Sequence, residues 1–396
     1  MKAAKAVGRK DFIKKSFAGA AGIAFVGSAR ASLHNTEPPL QQSERKIIYR
    51  TLGKTGLKLP IVSMGVMNSD NPALIAAALD NGIVHLDTAH GYMRGRNEEI
   101  IGRVLKGRPR DSFVIATKIA DDKMESAKET EKVFLDRFNL SLKRLGLDYV
   151  EILYLHSTSN RADTLHEPFL NALQAARKSG KTRFVGVSTH SRQPEVIQAA
   201  IDSKIYDVVL TGYNFTDSGS GVLREAIAKA AKAGLGIVAM KTLGGGTRRG
   251  VTVNPKAALK WVLQDTNVHT TIPGFTTFDQ LHTDLSVMED LALTREEQED
   301  LKLQGSVPGL YCLGCETCTG QCPKNLPIPD MMRAYMYTYG HRNLGAAQDL
   351  LLSLDVSSDP CRGCPGCTVS CAKGFDVAER ISDVVRLRDV PSSFIA

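Results

Sequence analysis

The sequence predicts an α/β fold, a (β/α)₈ barrel of the TIM type, followed by a small helical domain that holds every cysteine of the chain. Two observations carry the first part: apolar runs of strand length recur eight times from Ile61 onward, and amphipathic helical stretches alternate with them. A third carries the second part, since no cysteine precedes residue 312 and eight follow within 60 residues. The chain of 396 residues is long enough for one large and one small domain. Its 43% hydrophobic and 23% charged content excludes disordered and fibrous classes.

The predicted strands are Ile61–Val66, Ile83–Asp87, Phe113–Lys118, Tyr149–His156, Arg183–Thr189, Val208–Tyr213, Gly236–Lys241 and Thr270–Pro273. Helical patterns between them include 97–106, 130–145, 194–203, 221–233 and 255–264. Ahead of the first strand, Ile48 to Leu59 with turn residues Gly53 and Gly56 reads as a hairpin closing the bottom of the barrel. A doubly wound sheet is the alternative architecture. The first strand, however, is not followed by the Gly-x-Gly-x-x-Gly turn of its dinucleotide-binding form.

Polar groups stand where three successive strands end. Asp87 closes one, with Tyr92 in the loop beyond; Lys118 closes the next and His156 the third. Strand ends are where repeat folds of this kind carry their chemistry. Singly, each residue has a structural reading as a helix cap, a solvated charge or a satisfied imidazole. Together they make a proton-donor set for carbonyl reduction. An ammonium beside a phenol favours the phenolate, an aspartate holds that ammonium in place, and a neutral imidazole orients a carbonyl oxygen.

With the pattern Asp-Thr-Ala-x-x-Tyr followed by Lys and then His at successive strand ends, the chain resembles the aldo/keto reductase family from about residue 47 to 305. The resemblance implies that Asp87, Tyr92, Lys118 and His156 are catalytic, that a small-molecule carbonyl or alcohol is the substrate, and that NAD(P) lies across the carboxyl ends of the strands. Its carry-over to the cofactor site falls on Ser188, Thr189, Tyr213, Met240, Lys241, Pro273 and Gly274. Thr189 stands where the family has Asn, and Leu210 where a Gln is usual. Gly274 and Gln280 stand where NADP-preferring members often carry basic residues, which a 2′-phosphate wants.

Cys312, Cys315, Cys318 and Cys322-Pro323 reproduce C-x₂-C-x₂-C-x₃-C-P. Cys361, Cys364, Cys367 and Cys371 repeat the spacing, with Ala372 in place of proline. This is the spacing of two [4Fe–4S] clusters in which each fourth cysteine ligates the other cluster. Paired zinc sites or disulfides are the alternatives. Helical patterns at 330–339 and 344–354 lie between the motifs, so the module reads as a helical ferredoxin-like domain over 306–396, hinged at Gly305–Gly309. The aromatic run Tyr335, Tyr337, Tyr339 reads as packing.

The formal charge of +8 is concentrated at the amino terminus. Removing the seven basic residues and one acidic residue of 1–31 from the 50 and 42 in the whole chain leaves 43 and 41. A near-neutral body gives no signature of nucleic-acid binding. Residues 1–31 read as an export signal: a basic stretch through Lys15, a short apolar run from Phe17 to Gly27, and small residues before Ser32. Arg9-Lys10-Asp11-Phe12 resembles a twin-arginine signal with its second arginine replaced. That implies a periplasmic location, against a cytoplasmic one should the segment be a plain basic helix. The apolar run is too short to span a bilayer, and residues 32–46 read as a flexible leader.

The expected function is an oxidoreductase interconverting a carbonyl and an alcohol with a nicotinamide cofactor. The alternative is an iron-sulfur electron-transfer protein whose barrel is a scaffold. A redox partner protein is implied if the clusters pass electrons, because hydride transfer moves two electrons, a cluster passes one, and the sequence has no flavin motif to mediate.

Overall fold

In the computed structural model the described residues are 46–395, without 121–123, 125, 218–220, 246–252, 306–308, 313, 316 and 355. The export segment and nearly all of the leader lie outside them, as does the middle of the expected hinge. From residue 45 to 396 the chain forms one compact unit.

A hairpin opens the described chain, with β1 (Tyr49–Thr51) antiparallel to β2 (Lys58–Pro60). Its Leu52 and Leu59 plug the bottom of the barrel, packing on Ala116, Ile152, Val208 and Val238 from inside. Gly53 has φ 49°, and a Cβ there would meet the Gly236 backbone nitrogen at 2.4 Å, so the plug needs glycine at that corner.

Eight parallel strands follow: β3 (Met64–Gly65), β4 (His85–Asp87), β5 (Val114–Ala120), β6 (Val150–His156), β7 (Thr182–Thr189), β8 (Val208–Gly212), β9 (Gly236–Met240) and β10 (Thr270–Thr271). Each pairs with its sequence neighbours. The Val62–Thr271 bridge, with Ser63 N–H donating to Thr271 C=O at 2.8 Å and Gly65 N–H to Pro273 C=O at 3.0 Å, joins last strand to first. The barrel is thereby closed, and all eight predicted strands are present. Their near-continuous Val, Ile and Leu content is what burial on both faces requires.

Helices α1 (Pro72–Asp80), α2 (Arg96–Leu105), α3 (Ala127–Leu145), α4 (Glu167–Lys178), α5 (Gln193–Ser203), α6 (Gly221–Lys232), α7 (Pro255–Leu263) and α8 (Phe278–Val287) form the outer ring. Local chemistry sets their starts. Asn71, Ser126, Asn254 and Thr277 accept backbone N–H bonds from the first turns of α1, α3, α7 and α8, and proline occupies an early position in four of the eight. Their apolar stripes meet the outward strand residues in the main core, for example Phe134 and Phe138 of α3. Inside the barrel Tyr154 fills the space beneath the mouth. Gly186 on β7 is there because a Cβ would lie 2.5 Å from the Tyr154 ring.

Beyond α9 (Arg295–Gly305), the cysteine-bearing segment builds α10 (Ile328–Tyr335), which runs on into a π-turn at Met336–Gly340, then α11 (Leu344–Ser353) and α12 (Val377–Val385). Ile328, Met331, Met332, Val377, Ile381 and Val385 form its core, with Cys318 and Cys322 at the edge. The segment packs onto the barrel as a cap. Met336 and Tyr337 lie on Met67, which follows β3, and Arg94 donates to the Asp349 carbonyl at 2.5 Å. Gly309 approaches Gly244 so closely that a Cβ would sit 2.8 Å from its carbonyl oxygen. No helix among the described residues is long and apolar enough to cross a membrane.

Candidate functional site

At the carboxyl end of the barrel the four expected residues come together. Lys118, only 2% exposed, donates its amine to Asp87 Oδ1 and, at 2.7 Å, to the Thr88 carbonyl. The same amine bonds to the Tyr92 hydroxyl and stands 5.2 Å from the centre of that ring. The ring of His156 meets Tyr92 edge-on at 5.9 Å and 78°. Burial works to lower the Lys118 pKa, but the charges and hydrogen bonds of Asp87 and Tyr92 outweigh it, and the amine is held above its ordinary value. His156 is pushed the other way, well below the usual imidazole range, first by burial and then by Lys118 and Arg333. It is therefore neutral at neutral pH and able to hydrogen-bond a carbonyl oxygen.

The Tyr92 loop is held in an uncommon shape. Met93 and Arg94 both have left-handed backbone, φ 49° and 52°, before Gly95 at 90°. A bracket behind them fixes it: Arg144 donates to the His90 carbonyl at 3.0 Å and to Glu98 at 3.3 Å, Glu98 accepts from Thr117 at 2.7 Å, and His90 N–H donates to the Lys118 carbonyl at 3.0 Å. The guanidinium lies where a Cβ on Gly95 would be, 2.1 Å from its central carbon.

Around this group the expected cofactor residues divide. Ser188, buried at the end of β7, accepts the Ser157 N–H at 2.8 Å, which leaves its own hydroxyl proton to donate. Thr189 spends its proton on the Ser191 carbonyl at 2.7 Å. Met240 ends β9, and Lys241 follows with φ 57°. Pro273 is buried and Gly274 exposed, ahead of the amino end of α8, where Gln280 accepts from Thr276 N–H at 2.8 Å. Tyr213 departs from expectation. Its ring packs at 5.2 Å on Trp261 of α7 in the outer core and its hydroxyl reaches Asp265 at 3.3 Å, so it is committed away from the mouth. Beyond the pleat of β8, being next to a strand end does not fix which side a ring faces.

The cap supplies residues that sequence reading missed. Arg333 and Tyr337, four residues apart, lie close enough to Tyr92 for its charge to act on both, and Arg333 in turn acts on His156, His190 and Lys241. Tyr337 is pushed up to about 12 by burial, Arg333 opposing. His190 is held well below its ordinary value by burial and then by Lys241 and Arg333, and its Nδ1 has no hydrogen-bond partner.

All eight cysteines are free thiols. Burial raises Cys312, and Cys315 and Cys371 add to it; Cys318 is raised to about 11 by burial and then by Cys312, Cys315 and Cys371. Cys361 is raised by burial and then by Cys364, Cys367 and Cys322. Cys371 of the second motif thus lies near Cys312 and Cys318 of the first, and Cys322 of the first near Cys361 of the second. Thr368 and Ser370 bond to Gln321 at 3.0 and 2.7 Å, and Lys324 donates to the Pro360 carbonyl at 3.2 Å, pinning the two loops together. No three His, Cys, Asp or Glu side chains among the described residues converge as a single metal ion would require.

A closed parallel barrel with a buried lysine–aspartate pair, a tyrosine and a neutral histidine at its carboxyl mouth defines a class of (β/α)₈ domain built for proton transfer to a polar substrate. Residues 62–257 match the model of the aldo/keto reductase family, and the barrel is a domain of that family. The chain is 35% identical over 170 residues to L-glyceraldehyde 3-phosphate reductase of Escherichia coli K12, covering 39% of this chain and 48% of that protein. It is 34% identical over 156 residues to L-galactose dehydrogenase of Arabidopsis thaliana, 36% and 49% of the two. The chain thus spans about half the length of these curated relatives. The holo structure of an aldo-keto reductase from Bacillus halodurans shares the fold, with a TM-score of 0.52 at 22% identity over 65% of this chain and 96% of that one.

Proposed function

We propose that the chain is an oxidoreductase interconverting a carbonyl and an alcohol with a nicotinamide cofactor, and that its cysteine cap carries two [4Fe–4S] clusters. The observation that carries the first part is the convergence of Tyr92, Lys118, Asp87 and His156. His156, neutral, orients the substrate carbonyl through a hydrogen bond to its oxygen. Tyr92 gives that oxygen a proton in reduction and takes it back in oxidation. Lys118, kept charged by Asp87, stabilises the phenolate left behind. When bound, the nicotinamide supplies or accepts the hydride. Ser188 suits its carboxamide, having a hydroxyl proton to donate, and the 273–277 loop before α8 suits its phosphates. Gly274 and Gln280 provide no cation for a 2′-phosphate. Tyr213 is not part of this set.

The two interleaved sets of four thiols support the cluster reading. Cys312, Cys315, Cys318 and Cys371 would hold one and Cys361, Cys364, Cys367 and Cys322 the other, with an iron-sulfur cube supplying one-electron chemistry or rigidity. A protein exported through the twin-arginine route would carry these groups already loaded, which fits the amino-terminal signal.

The test is Tyr92→Phe in anaerobically purified protein, assayed for aldehyde reduction with NADH and NADPH. Turnover falls by roughly 10²-fold or more while fold and cluster absorbance persist. Unchanged turnover would remove Tyr92 from the mechanism.

A further inference from the structure

The inside of the barrel holds three buried polar atoms that have no hydrogen-bond partner among the described residues: Asp87 Oδ2, the Tyr154 hydroxyl and His85 Nε2. His85 and Tyr154 are fully buried and Asp87 is 1% exposed. Strand register turns all three inward. Asp87 pairs with Ala116 and Lys118 with Tyr154, and Ala116 and Tyr154 belong to the interior cluster; His85, two residues before Asp87 on β4, shares its side. The Lys118 amine links two of them, bonded to Asp87 Oδ1 and 5.9 Å from the centre of the Tyr154 ring. Leaving a buried hydroxyl or carboxylate oxygen unpaired is costly. Phenylalanine would fill the space over Gly186 without that cost, so packing does not account for the Tyr154 hydroxyl.

The roles of the three atoms follow from the polar file beneath them. Thr270 donates to the Pro60 carbonyl at 2.8 Å, so its oxygen accepts the Ser63 proton, also at 2.8 Å. Ser63 Oγ then accepts from His85 Nδ1–H at 3.0 Å, and Nε2 of this neutral imidazole is left as a lone pair. Asp87 Oδ2 is a second acceptor. The Tyr154 hydroxyl, kept protonated by burial and then by the Asp87 charge, is a donor. Two acceptors and one donor are the complement of a water molecule, which gives two protons and accepts one.

We propose that Asp87 Oδ2, the Tyr154 hydroxyl and His85 Nε2 bind one ordered water beneath the catalytic pair, and that Tyr154 and His85 are positioning residues which, through it, hold the Asp87 carboxylate against Lys118. The inference rests on the reading that Lys118 stabilises the Tyr92 phenolate. A donor on Oδ2 satisfies the carboxylate from the side away from Lys118, so the proton stays on the amine and a full ammonium faces Tyr92. The file from Pro60 through Thr270 and Ser63 to His85 ties this water to the hairpin at the barrel floor.

Tyr154→Phe in the full-length protein is the test, because it removes one hydroxyl and little else. An idle hydroxyl predicts a variant at least as stable as wild type and fully active, since an unsatisfied polar group has been deleted. With the water in place the variant unfolds at lower urea concentration, and kcat for aldehyde reduction with NADH or NADPH falls about tenfold while KM stays within about twofold. The alkaline limb of its pH profile moves to higher pH, because a carboxylate short of a donor draws the proton from Lys118 and makes the Tyr92 phenolate harder to form. A crystal structure of the wild type shows a water within about 3.2 Å of all three atoms. A structure with no water touching them, or with Tyr154 bonded directly to another group, overturns the site. Lower stability with unchanged kinetics and pH profile overturns the positioning role. Retained turnover in Tyr92→Phe would instead end the carbonyl reading, and the crystallographic water and the urea midpoint do not depend on it.

Discussion

Replacing Lys118 by Met tests whether the pair beneath Tyr92 is one electrostatic unit. Both partners are 2% exposed and the amine bridges Asp87, Thr88 and Tyr92. Methionine keeps the volume, so little cavity forms; what is lost is the charge of Lys118 that compensates a buried carboxylate. Removing one partner of such a pair costs about 3–5 kcal/mol. Part of that deficit is relieved by proton uptake. The Asp87 carboxyl is already held above its ordinary value by burial against the opposing pull of Lys118, and without Lys118 it rises further. A carboxyl whose folded-state pKa exceeds its unfolded value loses stability as pH rises, so the deficit in Lys118→Met is smaller at pH 5 than at pH 8. Adding Asp87→Asn removes the stranded charge and recovers about half of the loss or more, a coupling that a double-mutant cycle reads directly. Urea unfolding of the three variants and wild type at both pH values provides the measurement. A Lys118→Met variant within about 1 kcal/mol of wild type, with no pH dependence, would refute the reasoning.

Cys371→Ser should damage the iron-sulfur signal belonging to the first motif, and paramagnetic resonance showing loss confined to the second motif would reject the crossed arrangement. Acid should destabilise the fold, because His85, lowered to about 3 by burial and then Lys118, and His156, lowered for the same reasons, are neutral when folded. Below pH about 6.5 the unfolded chain binds protons that the folded one refuses, at up to about 1.4 kcal/mol per pH unit for each histidine, and a flat stability profile from pH 6.5 to 4.5 would contradict this. Cells should contain a mature form beginning near Ser32 in the periplasmic fraction, and finding only full-length chain in the cytosol would end the export reading.

The barrel was legible because its strands are buried on both faces and therefore written as unbroken apolar runs; even the short β3 and β10 lie within such runs. Asp87, Lys118 and His156 were legible because a polar residue ending an apolar run has to leave the core at a defined end. Tyr213 was misread on the same rule, since one position past Gly212 the pleat no longer dictates the face, and Trp261, distant in sequence, captured the ring. Arg333, Tyr337 and His190 were illegible for a different reason. Their importance comes from the docking of the cap, and no local pattern around 333 encodes that Met67 and Gly244 will receive it. α12 was missed because Val377, Ile381 and Val385 form a stripe of only nine residues after the last cysteine, too short for periodicity to stand out.

The interleaving of the two cysteine motifs sets a clock on biosynthesis. Cys371 lies near Cys312 and Cys318, yet 52 residues separate it from Cys318, and α10, α11 and the second cysteine loop lie in that interval. At roughly 5–20 residues per second, the first three thiols wait about 2–10 s on the ribosome-bound chain before their fourth partner exists. Under the proposed crossed ligation no fragment ending before Cys367 contains either set of four, so cluster loading would follow synthesis of nearly the whole chain and of the barrel on which the cap rests.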